Sequence, residues 1–245
     1  MKNIKLTIEY DGTNYSGWQN QENAITIQEK LEIAISKITG EKISLIGSGR
    51  TDAGVHALGQ VANFKTNSSI PGDKYKFTLN NILPEDITII DSKEVDLNFH
   101  SRFSAVKKRY KYRIYTRKMP SAIYRNVSFH YKHDLDIDKM IEASKYFLGT
   151  HDFASFKGRK SVVKGTIRTI YKLDIEKVDN FIEITIEGNS FLRYMVRNIV
   201  GTLINVGSGK TKAEDIPNII KSENRNCAGK TAPAQGLFLE KVYYD

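Results

Sequence analysis

The chain can build no internal disulfide, because Cys227 is its only cysteine. A lone thiol fits a reducing compartment and excludes a cysteine-rich zinc site. With 245 residues, 40% of them apolar, the chain is long enough to bury a sizeable core without such staples. It also lacks a long hydrophobic run: no stretch approaches the roughly 20 apolar residues of a membrane helix. Met1-Lys2-Asn3-Ile4-Lys5 alternates from the start and offers no unbroken apolar segment for a signal peptide. The expectation is a cytoplasmic protein, in which the Asn67-Ser68-Ser69 sequon is only a loop. The five histidines show no metal-site spacing, and no low-complexity linker divides the chain.

What the sequence has in excess is positive charge. Lys and Arg number 37 against 28 Asp and Glu, a net charge of +9. A basic surface attracts polyanions through counterion release, although a lysine-rich composition alone gives the same total. Clustering is the better evidence.

The periodicities predict a mixed α and β chain. Residues 4–10 alternate as a half-buried strand, closed by Asp11-Gly12. Thr26 with Glu29 forms a capping box for a helix whose apolar stripe is Ile27, Leu31, Ala34, Ile35 and Ile38, and Gly40 stands at its C-cap. Strands are expected at 43–46 and 61–66 on either side of a glycine-rich loop. Further strands are expected at 110–116, 170–177, 181–187 and 237–244. Helices are expected at 137–148 and 191–206, with a shorter one at 212–221 capped by Thr211 and Glu214. Leu6-Thr7-Ile8-Glu9 and Ile184-Thr185-Ile186-Glu187 make the two halves faintly alike, as two ordinary βα units would be. The expectation is an α+β fold of two similar halves, 1–104 and 105–245, sharing a mixed, largely antiparallel central sheet flanked by helices.

Three places could carry chemistry. Gly47-Ser48-Gly49-Arg50-Thr51-Asp52-Ala53-Gly54-Val55-His56-Ala57 sets Arg50 and Asp52 in a frame of three glycines just after a strand. It reads either as a catalytic loop or as a turn in which Asp52 caps the next residues. It lacks the Gly-Lys-Ser/Thr ending of a phosphate loop. Asp52 with His56 would be two ligands of a metal that has no third. The second place is Lys107-Lys108-Arg109-Tyr110-Lys111-Tyr112-Arg113, five basic residues in seven with two tyrosines between them. On a strand, Lys111 and Arg113 point away from Tyr110 and Tyr112. That is the grammar of nucleic-acid contact, or of a solvated edge strand. The third is Arg193 and Arg197 on the otherwise apolar helix expected at 191–206. Arg197 is either a boundary arginine with its head in water or the partner of a buried carboxylate.

Gly49-Arg50-Thr51-Asp52-Ala53-Gly54-Val55-His56-Ala57 is similar to the signature of the tRNA pseudouridine synthase A family. Glu9-Tyr10-Asp11-Gly12, Gly17-Trp18-Gln19 with Gln21, Phe99-His100 with Arg102-Phe103-Ser104-Ala105, and Arg109-Tyr110 also resemble family blocks. So do Asp152-Phe153 with Ser155-Phe156, Met195–Gly201, and Gly236-Leu237 with Leu239. They run in family order over nearly the whole chain, and Ser101 departs from the usual alanine. The resemblance implies the pseudouridine synthase fold and isomerisation of uridine to pseudouridine at positions 38, 39 and 40 in the anticodon arm of tRNA. It implies a homodimer that uses no cofactor and no metal. Asp52 takes the place of the nucleophile, Tyr110 that of the ring stacked on the base, and Arg197 that of the cation paired with the aspartate. Leu237 or Leu239 stands where an apolar contact lies beneath the base. Arg50, Lys107, Lys108, Arg109 and Lys111 are left to grip phosphates. The competing reading is a non-catalytic RNA-binding module, in which Asp52 is dispensable.

Overall fold

The computed structural model describes residues 1–159 and 163–245. These form two compact units, Met1–Val106 with Phe238–Asp245, and Lys107–Leu237. In chain order the elements are β1 (Lys2–Tyr10), α1 (Ile27–Thr39), β2 (Ile46–Gly47), β3 (His56–Thr66), α2 (Tyr75–Asn80) and β4 (Ile87–Val95). Then come β5 (Ala105–Tyr115), β6 (Phe129–His130), α3 (Ile137–Ser144), β7 (Gly149–Asp152), β8 (Ile167–Val178) and β9 (Phe181–Gly188). The chain ends with α4 (Met195–Gly207), α5 (Ile216–Lys221) and β10 (Leu237–Tyr244).

In the first unit β1 lies between β3 and β4, antiparallel to both. The alternation of β1 fixes that place: Ile4, Leu6 and Ile8 are 0% exposed. The far side of β3 takes β2 antiparallel at Ala62 and Asn63, and β10 parallel at His56 and Ala57. α1 forms as its sequence dictates. The Thr26 side chain accepts from Glu29 N, and Gly40 closes the helix at φ 71. Ile27, Leu31 and Ile35 are fully buried on one stripe, worth roughly 1.5–3 kcal/mol each. α2 is tied to β4 by Asn80, whose amide donates to Ile89 O at 3.0 Å and accepts from Ile89 N at 2.8 Å.

In the second unit β5, β9, β8 and β7 pair antiparallel in that order, with β6 parallel to β5. The sheet is therefore mixed and largely antiparallel within each unit. α4 buries Met195, Ile199, Val200, Leu203 and Val206 completely. Gly207 lets α3 approach, since a Cβ there would meet Met140 Sδ at 2.7 Å.

Several sequence expectations need correction. The helix expected at 191–206 starts at Met195, because Tyr194 takes a left-handed backbone at φ 64. Arg193 is therefore not on the helix and does not share a face with Arg197. The strand expected at 43–46 is only Ile46–Gly47, and the one expected at 61–66 begins at His56. The helix expected at 212–221 is a 3-10 turn, Ala213–Asp215, running into α5. Its closing acid is Asp215, which accepts from Lys212 N at 3.2 Å, not Glu214. α2, β4, β6 and β7 carry no counterpart in the sequence reading.

Candidate active site

The Asp52 loop belongs to the first unit and joins β2 to β3. Asp52 is half-buried, and its carbonyl accepts from Val55 N at 3.1 Å in a tight turn. Gly54 supplies the left-handed step of that turn at φ 74. The loop is held from outside by the two N-terminal blocks. Trp18 N donates to Thr51 O at 3.1 Å, and Gly54 N donates to Tyr15 O at 3.3 Å. Tyr10 Oη and Thr51 Oγ1 share a buried hydrogen bond of 2.8 Å. Gln60, fully buried, donates to Gly49 O at 2.7 Å. Gly12 and Gly17 are where backbone meets backbone: a Cβ would lie 2.0 Å from Val55 O at the first and 2.5 Å from Thr51 O at the second. Asp11-Gly12 and Gly17-Trp18 thus form a cradle for the loop. Arg50 stands on it exposed.

His56 is buried at the start of β3 and stacks on Phe238 with ring centroids 4.8 Å apart. Its Nδ1 lies 3.1 Å from both Gly12 N and Asp11 Oδ1. One atom cannot accept from the amide and donate to the carboxylate together. With Nδ1 accepting from Gly12, the ring is neutral and fastens Gly12 to β3; protonation would turn it to Asp11. Among the described residues no three His, Cys, Asp or Glu side chains gather as a metal group. Burial alone would raise the Asp11 carboxyl, but hydrogen bonds from the Thr13 side chain and backbone bring it below the ordinary range.

Sequence reasoning missed Tyr10, Thr51 and Gln60 as holders of this loop. Tyr10 could be found as the last inward residue of β1; Gln60 carries no local signal. Ser101, the departure noted above, is fully buried, and its hydroxyl donates to Ile46 O at the entry to the loop.

In the second unit the basic–aromatic strand is β5. Tyr110 is buried and meets Phe191 edge-on at 5.1 Å. Tyr112 is fully buried and donates to Pro233 O at 2.8 Å. Burial pushes the Tyr112 hydroxyl far above its ordinary value, opposed by the charge of Arg197. Lys107, Arg109, Lys111 and Arg113 share the opposite face. Glu187 on β9 lies 2.6 Å from both Lys107 and Arg109, and Glu183 lies 3.1 Å from both Lys111 and Arg113. Two carboxylates thus hold four cations in a ladder. Lys108 is half-buried on the tyrosine side, opposite Gly188. Arg197, in the first turn of α4, donates from Nε to Ala232 O at 2.7 Å. Leu237 is 5% exposed, whereas Leu239 is 0% exposed and pairs with Ala57 inside the first unit.

The ladder makes an acid-sensitivity prediction. Burial would raise the Glu187 carboxyl, but hydrogen bonds and charge from Lys107 and Arg109 carry it below its ordinary value of 4.5. A carboxyl lowered by folding stabilises the protein above its unfolded pKa and stops doing so as pH falls through the folded one. Melting temperature should therefore drop more steeply below pH 4.5 in the wild type than in Glu187→Gln. Parallel acid limbs would show that the Glu187 pairs contribute nothing to acid stability.

Comparison with known proteins gives the family. The family model described as tRNA pseudouridine synthase matches residues 6–104 and 143–245. The chain belongs to the tRNA pseudouridine synthase family. It is thus an isomerase that modifies RNA. The tRNA pseudouridine synthase A of Acetivibrio thermocellus is 54% identical over 244 residues, covering 100% of both chains. Those of Thermoanaerobacter sp. and Clostridium kluyveri are each 53% identical, again covering 100% of both chains. A solved H/ACA ribonucleoprotein bound to a substrate RNA aligns over 82% of this chain and 44% of its own at 12% identity and TM-score 0.39. That likeness is too distant to add to the family assignment. The cradle residues Tyr10, Gly12, Gly17 and Trp18 fall in the same blocks as those that carry the resemblance. No helix among the described residues is long and apolar enough to cross a membrane.

Proposed function

We propose that this chain isomerises uridine to pseudouridine at positions 38, 39 and 40 in the anticodon arm of tRNA, acting as a cytoplasmic homodimer with Asp52 as its nucleophile. The observation that carries the reading is the cradle. An aspartate half-buried on a turn, with that turn fixed by Thr51–Trp18, Thr51–Tyr10 and Gly54–Tyr15 hydrogen bonds, is pre-positioned.

The reaction breaks the bond from uracil N1 to the sugar C1′, turns the base and joins C5 to C1′; C5 gives up its proton and the freed N1 takes one from solvent. The target must first be flipped out, at a cost of roughly a few kcal/mol. Attack by the carboxylate at C1′, attack at uracil C6, and assisted departure of uracilate to a glycal all require an ionised, fixed carboxylate. Tyr110 and Arg197 bind the target nucleotide, Tyr110 through its ring. Leu237 supplies the apolar contact to the base, because Leu239 has no surface to offer. Arg50 and the β5 cations Lys107, Lys108, Arg109 and Lys111 take phosphates. The chemistry calls for no cofactor.

Position choice is tested with tRNA transcripts carrying a single tritiated uridine at 38, 39 or 40 and cytidine at the other two. Each should release tritium from C5. Release from an anticodon-arm uridine outside this set, and from none within it, would overturn the assignment.

A further inference from the structure

A second basic–aromatic cluster lies wholly within the second unit, where three segments meet at the start of α4. Lys157–Arg159 reaches it from the 3-10 turn Ala154–Phe156, Phe191–Arg197 arrives from β9, and 224–231 crosses it after α5. Asn198, fully buried, fastens all three. Its amide donates to Phe156 O at 2.6 Å, and its oxygen accepts from Arg225 Nη2 at 2.8 Å and from Thr231 Oγ1 at 2.6 Å. Gly158 N donates to Arg193 O at 2.9 Å. Glycine is needed there, since a Cβ would lie 2.7 Å from the Tyr194 ring. Tyr194 itself sits beside two guanidiniums, 4.8 Å from Arg193 and 5.1 Å from Arg197.

Two other arginines complete the cluster, and among the described residues both are held by neutral partners. Arg225 donates to Asn198, Thr231 and Ala228 O; Arg159 donates to Asn226 Oδ1 at 2.7 Å. Among the described residues neither makes an ion pair with a carboxylate. Their charges oppose each other: burial and then the nearness of Arg159 pull Arg225 below the ordinary arginine range. The first turn of α4 adds no acid. This contrasts with the β5 ladder, where carboxylates hold each of four cations. Guanidiniums held by neutral acceptors leave N–H groups over for an outside anion, and their fork matches phosphate oxygens.

We propose that Arg159 and Arg225 form a site for one phosphate of the RNA backbone, beside the Tyr194 ring. The site rests on the RNA-modifying reading and adds a contact outside the β5 ladder. The phosphate sits between the two arginines, relieving their repulsion, while Asn198 sets Arg225 in place as a positioning residue.

Equilibrium binding of an unmodified tRNA transcript across a salt series tests this, with tritium release from the same transcript measured alongside. Arg159→Gln removes an exposed charge whose hydrogen bond, among the described residues, is to Asn226. It should weaken binding about 3–10-fold at low salt and reduce the slope of log K against log salt by about 0.9. Arg159→Lys should restore the slope, since lysine still binds phosphate as a point charge. Arg225→Gln should lower the slope by the same amount. A wild-type slope in both glutamine variants, with tritium release intact, overturns the phosphate site and leaves the isomerase standing. A lowered slope without tritium release by the wild type upholds the site and sinks the isomerase reading. No salt-dependent binding by the wild type overturns both.

Discussion

Asp52→Asn abolishes tritium release from uracil C5, by at least about 10⁴-fold, the scale on which removing an enzymatic nucleophile acts. Asparagine keeps the size and the turn. Thr51, Gly54 and the Asp52 carbonyl tie the loop to its cradle, and the exchange leaves those hydrogen bonds in place. What goes is the charge, and all three chemical routes depend on it. Affinity for tRNA should stay within about threefold, because phosphate contacts dominate affinity and none is lost. The measurement compares wild type and variant at equal concentration, with a chelator present in both. Equal release from the two would remove Asp52 as the nucleophile. Release from neither, with tRNA still bound, would make the chain an RNA-binding module.

The loop itself was legible because glycine, arginine and aspartate crowd a short stretch after a strand. Its support was legible only as separate motifs. Nothing local in Asp11-Gly12 or Gly17-Trp18 says that their backbones touch Val55 and Thr51. α1 and β10 could be read to the residue or nearly so, since Thr26, Gly40 and the alternation of 237–244 are local signals. The partner of β10 could not: its parallel pairing with His56 and Ala57 joins opposite ends of the chain. β4 hides for a related reason. Ile87 and Ile89 face inward, but the exposed Ile90 blurs the alternation. α4 is misread at one end only. Its apolar spacing extends back to Leu192, and no sequence rule foretells a tyrosine at φ 64. That single dihedral takes Arg193 off the helix, and Arg193 and Arg197 meet instead at Tyr194. The pairing of Lys107 and Arg109 with Glu187 is equally invisible, because cross-strand register decides it.

Gly12→Ala should be the most damaging single-methyl change in the first unit. The added Cβ would sit 2.0 Å from Val55 O and 2.7 Å from Val55 C. Both are backbone atoms, so no rotamer change relieves the clash. Val55 is 1% exposed and leads straight into β3, which anchors that side. The movable part is the turn from Asp52 to Gly54. Displacing it also strains the hydrogen bond from Gly12 N to His56 Nδ1. Overpacking of this kind costs about 1–3 kcal/mol, which lowers the melting temperature by roughly 2–12 °C for a chain of this size. Turnover should fall further than stability does, by about 10²-fold, because a shift on the order of 1 Å in a reacting group costs that much. Saturation with tRNA should change less than turnover, since of the phosphate-gripping cations only Arg50 stands on this loop, and it precedes the turn that moves. Measuring kcat, KM and the melting curve together separates the cases. A large loss in kcat with KM nearly constant and a folded protein at assay temperature supports a cradle that aims Asp52. A variant that melts lower but keeps wild-type kcat would reduce the cradle to a stabilising contact and leave the aim of Asp52 to some other part of the fold.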